Sequence, residues 1–151
     1  MRPDPAFEFW GGETCQLMEG LTLVRCGGHF PGSSVLHWAE GAGGRGVLMT
    51  GDSIMVVPDT RWVSFMYSYP NLIPLPPREV RRIVATTEPY AFDRIYSAWW
   101  DRVLVEDATA RLAASAAYAF SRLRFKGRRP GVLALLLIQM FPSSLAAVAG
   151  D

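Results

Sequence analysis

Histidine is scarce in this 151-residue chain, which holds only His29 and His37. One copy therefore cannot assemble a metal centre from three imidazoles. Cysteine is equally sparse: Cys15 and Cys26 form no Cys-x-x-Cys pair, and no secretory apolar segment follows Met1. A reducing, cytoplasmic setting is the expectation. The two thiols fall on the arms of a hairpin around Glu19-Gly20, on the same face about one pleat apart. They serve there either as a disulfide or, the preferred reading, as two half-buried free thiols. Charge of one sign is lacking too, with 15 Lys and Arg against 14 Asp and Glu and a net charge of +1. With no basic stripe interleaved with exposed aromatics in the central region, nucleic acid is excluded as the expected partner, and a small molecule fits better. The glycine-rich Gly41-Ala42-Gly43-Gly44-Arg45-Gly46 lacks a Lys-Ser/Thr ending and joins two strands, so it reads as a hairpin turn, not a phosphate loop.

At 50% hydrophobic and 19% charged residues, the composition is that of one compact globular domain. Met1 to Trp10 is an irregular lead-in, and a start so near the first hairpin suggests no room for a preceding half-domain. Leu21 to Cys26 reads as a strand broken by Gly27-Gly28. Ser33 to Trp38 follows, with Val35 and His37 on one face, and Gly46 to Thr50 returns to complete a meander ending at Asp52. From Val57 to Pro77, prolines at 58, 70, 74, 76 and 77 predict a long structured loop carrying Trp62, Phe65, Tyr67 and Tyr69. Pro77 opens a helix with Val80, Ile83 and Val84 as its apolar stripe and Arg78, Arg81 and Arg82 toward solvent. Phe92 to Tyr96 is a short strand. Asp107 is placed to cap a second helix, whose Leu112, Ala116, Ala119, Phe120 and Leu123 recur at helical spacing.

Two segments carry chemistry: Cys26-Gly27-Gly28-His29-Phe30-Pro31-Gly32-Ser33 and Leu48-Met49-Thr50-Gly51-Asp52. Each ends a β-rich run, which sets one imidazole and one carboxylate at the ends of neighbouring strands. These segments resemble the second half of the metallo-β-lactamase superfamily. There a strand leads into a His-containing Pro-Gly turn whose His binds zinc, and a later strand ends in Thr-Gly-Asp, whose Asp bridges two metals. The resemblance runs from roughly Phe9 to Leu123 and follows the family's element order. It implies an α+β fold, half of an αββα sandwich: a mixed, mostly antiparallel sheet with two packed helices. His29 and Asp52 would be the metal ligands, and Trp62, Phe65, Tyr67, Tyr69 and Trp99 the candidate lining of a substrate pocket. For the loop aromatics the competing reading is cover for the core; for His29 it is a turn imidazole bonded to nearby backbone. His37 reads as a satisfied sheet histidine.

The resemblance is incomplete. The family's His-x-His-x-Asp-His signature does not occur in this chain, and Ser97-Ala98-Trp99-Trp100 stands where its last ligand belongs. The intact family binds two zinc ions; here zinc is expected to be held weakly or lost. The expectation is a partial domain over residues 1–123 and a basic-apolar tail over 124–151. That tail carries an apolar helix about half the length needed to cross a bilayer; it either lies on an anionic membrane surface or packs on an open sheet face. The functional reading is a truncated or remnant hydrolase domain, metal-depleted and inactive alone. Its alternatives are a half-enzyme completed by another chain into a zinc-dependent hydrolase, or a non-catalytic binding or membrane-surface module. An active form would take an ester-, thioester- or lactam-like substrate. Half a sandwich leaves an apolar sheet face bare, so self-association or a partner chain is expected.

Overall fold

The structure, a computed structural model, describes residues 4–123. The expected tail helix and its membrane-surface role fall on residues 124–151, outside the described part. The elements are, in chain order, β1 (Thr14–Met18), β2 (Leu21–Arg25), β3 (Ser34–Trp38), the single turn α1 (Gly41–Gly44), β4 (Val47–Gly51), β5 (Met55–Val56), β6 (Val63–Ser64), β7 (Met66–Ser68), β8 (Ile73–Pro74), α2 (Pro77–Thr87), β9 (Arg94–Ser97), β10 (Val103–Leu104) and α3 (Ala108–Leu123).

The class is α+β. A six-stranded mixed sheet runs β1-β2-β3-β4-β9-β10, antiparallel throughout except where β9 lies parallel to β4. The expected meander is present, and α2 is the crossover that lets β9 join in parallel. The hairpin turn between β3 and β4 closes through α1, where Ala42 and Gly43 have positive φ. Gly46 has no room for a side chain, because a Cβ there would collide with the Ala91 carbonyl.

Alternation decides the two faces of the sheet. Val24, Val35, His37, Leu48, Ile95 and Leu104 are buried on one, in a core that also takes Val80 and Ile83 of α2 and Ala108, Leu112 and Ala116 of α3. Pro77 starts α2 as expected, its ring supplying the helical φ at a position that needs no N–H bond. At the start of α3 it is the Asp107 carbonyl that accepts from the Arg111 N–H, at 3.0 Å, while the Asp107 N–H donates to Asp93 Oδ1 at 2.9 Å.

Two expectations need correction. The proline-rich stretch is not a strandless loop: β5 pairs with β6 and β7 with β8, both antiparallel. Pro74 takes part because a strand two residues long, paired on one side only, needs no further N–H from it. The cysteines are not on one face. A regular two-residue hairpin would set Cys15 opposite Val24, but the register slips between Gln16 and Met18 and sets it opposite Leu23. One extra residue turns every side chain before it to the other side. Cys26 is buried and Cys15 half-buried, and both are free thiols.

Candidate functional site at the sheet edge

The edge of the sheet reached by β4 and β9 collects three turns. The β2–β3 turn holds His29, Asp52 follows β4, and Trp99 and Trp100 follow β9, whose Ser97 pairs with Gly51. The His29 turn is held from two sides. Gly27 and Gly28 both have positive φ and pack under α2; a Cβ on Gly28 would lie 2.7 Å from Ile83 Cδ1. Arg82, exposed as expected, also donates from Nε to the Cys26 carbonyl at 3.1 Å while its Nη2 pairs with Glu79 at 2.9 Å. On the other side, Ser33 Oγ and Ser53 Oγ are hydrogen-bonded at 2.6 Å in a buried position, joining the His29 turn to the Asp52 turn.

His29 and Asp52 meet. His29 Nε2 lies 3.8 Å from Asp52 Oδ2, the imidazole mostly buried and the carboxylate open to solvent. His29 Nδ1 is 2.8 Å from the Met66 carbonyl oxygen. A carbonyl only accepts, so Nδ1 carries a proton and Nε2 is the nitrogen on the Asp52 side. Such an anchor on the far nitrogen is how a histidine is held ready for a metal. Zinc bonds to nitrogen and oxygen are about 2.0–2.2 Å long, so two donors 3.8 Å apart can share one ion. Beyond these two, the described residues contain no group of three or more His, Cys, Asp or Glu placed to hold a metal ion. The donor set thus falls short of the three protein ligands of catalytic zinc.

Tyr69 completes the pair's surroundings. Its ring stacks on the imidazole with centroids 5.7 Å apart, and its hydroxyl donates to the Asp52 carbonyl at 2.9 Å. Burial, and secondarily the Asp52 charge, push the Tyr69 hydroxyl pKa up, so it stays a donor at neutral pH. Phe30 meets His29 edge-on at 6.0 Å.

The other proposed pocket residues separate. Phe65 is 6% exposed and belongs to the core, so it offers little face to a ligand. Trp62, exposed, lies against Tyr118 of α3 with ring centroids 6.4 Å apart. Tyr67 and Trp99 are exposed, Tyr67 next to the residue that anchors His29 and Trp99 just past the sheet edge. His37 is the satisfied sheet histidine expected: its Nε2 donates to the Ala91 carbonyl at 2.8 Å, and its ring packs on Tyr90. The parts sequence reasoning missed are the Met66 carbonyl and the Ser33–Ser53 bond. A backbone acceptor carries no residue signature, and two serines twenty positions apart give no local sign of touching.

No family model matches the chain, and no solved structure does. It is similar to the uncharacterized protein YmaE of Bacillus subtilis (strain 168), 50% identical over 115 residues, which are 76% of this chain and 42% of YmaE. It is also similar to the maltose/maltodextrin transport system permease protein MalG of Vibrio vulnificus (strain YJ016), 44% identical over 54 residues, covering 33% of this chain and 18% of MalG. The MalG of Vibrio parahaemolyticus serotype O3:K6 (strain RIMD 2210633) is 41% identical over 54 residues, with the same coverage. The matches thus span less than half the length of each of these relatives.

Proposed function

We propose that the chain is a metallo-β-lactamase-like hydrolase domain reduced to a remnant metal site, inactive alone. One observation carries this reading: two side chains from separate turns converge to 3.8 Å, with the histidine fixed by its far nitrogen in the tautomer a metal ligand needs. The element order β2, ligand turn, β3, β4, Asp turn, α2, β9, α3 agrees with the resemblance on which His29 and Asp52 were chosen. Two donors bind an ion far more weakly than three or four, and an ion so held does not reliably activate water.

Metal analysis tests this. The purified protein should carry little zinc, bind added zinc weakly, and lose that binding in both His29→Ala and Asp52→Ala. It should not cleave ester, thioester or lactam substrates. Zinc binding indifferent to both substitutions would sink the proposal. Stoichiometric zinc, lost in both variants, would instead mark a half-site completed by another chain.

A second reading, association with a membrane surface, is favoured by the stretch similar to the permease MalG. Among the described residues no helix is long and apolar enough to cross a membrane. Flotation with anionic vesicles checks it: the full chain should float, and a chain lacking residues 124–151 should not.

A further inference from the structure

We propose that the sheet face turned away from α2 is the interface for a second copy of this chain, packed face to face. The proposal stands apart from the His29–Asp52 reading and rests on strand register. One cross-strand row runs Cys15, Leu23, Leu36, Met49, Tyr96, Val103 through all six strands without a charged residue. The next row on the same face runs Met18, Leu21, Trp38, Val47 and Arg94.

Val47 is buried beside Gly41, but the large side chains around it in these rows are open. Met18 is 63% exposed, Trp38 40%, Met49 38% and Tyr96 39%. Large side chains offer roughly 150–250 Å² each, so these four leave on the order of 350 Å² uncovered, already within the roughly 300–600 Å² typical of a monomer's largest apolar patch. Half-buried Cys15, Leu21, Leu23, Leu36 and Val103 extend it toward the roughly 800 Å² per partner of a stable interface.

The face is also self-complementary in charge. A two-fold axis in the plane between the sheets, parallel to the strands, reverses the order β1-β2-β3-β4-β9-β10, so β9 lies over β2 of the partner. Arg94 then meets the region of Leu21 and not another Arg94. Its guanidinium is already engaged within the face, donating to the Val105 carbonyl and the Tyr96 hydroxyl, each at 3.3 Å. On the other flank Arg25 pairs with Ser34, and the same axis sets it over the region of Ser97 on the partner's β9, so the two cations of the face stand on opposite flanks of the apolar stripe and oppose no like charge.

Sedimentation equilibrium of the full chain at about 1–100 µM tests this. A dimer is expected, weakened at least tenfold by Met49→Lys and, independently, by Tyr96→Glu, with Trp100→Lys, outside both rows, leaving it unchanged. Both substituted side chains already face solvent, and circular dichroism melts verify that each variant folds. Radical footprinting should protect Met49 and Trp38 as dimer forms. A monomer throughout overturns the proposal, whether Met49 is open or is protected by another part of the chain. A dimer indifferent to both substitutions overturns it equally.

Discussion

Ser33 Oγ and Ser53 Oγ, both buried, lie 2.6 Å apart and tie the turn that carries His29 to the turn that carries Asp52. Ser53 also has the Ser34 carbonyl within reach at 3.5 Å, so a consistent pattern has Ser33 donating to Ser53 and Ser53 donating onward. The pair sets the spacing of the candidate ligands without touching either one.

Removing one hydroxyl strands the other. Ser33→Ala should cost about 1–3 kcal/mol, the penalty of a buried hydroxyl left short of a partner. The double variant Ser33→Ala/Ser53→Ala should cost less than the two single changes together, because neither group is then orphaned. Urea denaturation of all four forms measures the coupling; additive losses would mean the hydroxyls do not interact.

Gly28 has φ +84 and a Cβ there would lie 2.7 Å from Ile83 Cδ1 and 3.0 Å from Leu75 Cδ1. Gly28→Ala should therefore destabilise the fold by about 1–3 kcal/mol through strain and overpacking. Because His29 follows directly, its ring should also lose its anchor. In the parent protein, ¹⁵N spectra should show neutral His29 protonated at Nδ1; in the variant that signature should fade. A variant as stable as the parent with the same tautomer would show that the turn tolerates a side chain.

Burial, only partly offset by the Arg82 charge, pushes the Cys26 thiol up from 9.0 to about 12. In native protein at pH 8, one thiol should react with a disulfide reagent, the half-buried Cys15, and the second only after denaturation. The sign of the pH effect follows. The folded state holds the proton more tightly than the unfolded chain, so this contribution is complete below pH 9.0 and is lost as pH rises toward about 12. Cys26→Ala should flatten that alkaline loss in denaturation curves taken across this range, the remainder coming from Tyr69, whose hydroxyl is raised in the same direction.

Most of the framework was legible because its signals are local. Glycine pairs, prolines and short β-branched runs act through the backbone of the residues themselves, so β2, β3, β4 and the start of α2 lie where the pattern places them. The approach of His29 to Asp52 follows from that legible order, since an antiparallel β3 between two turns returns both to one edge. The side taken by Cys15, the burial of Phe65 and the bond from Arg82 to the Cys26 carbonyl were not legible, for a common reason. Their surroundings come from a slipped register, a long-range core and a helix packed from afar, none of which leaves a trace in neighbouring residues.

By itself the sequence determined the class of fold, the succession of strands and helices, and which two side chains stand at strand ends, because turn geometry and hydrophobic alternation are short-range. Tertiary structure alone decided that Met66 selects the His29 tautomer, that two serines clasp the turns, and that Met18, Trp38, Met49 and Tyr96 stay open on one sheet face. Each depends on atoms far apart in the chain meeting within hydrogen-bonding or van der Waals distance, and that is a property of packing.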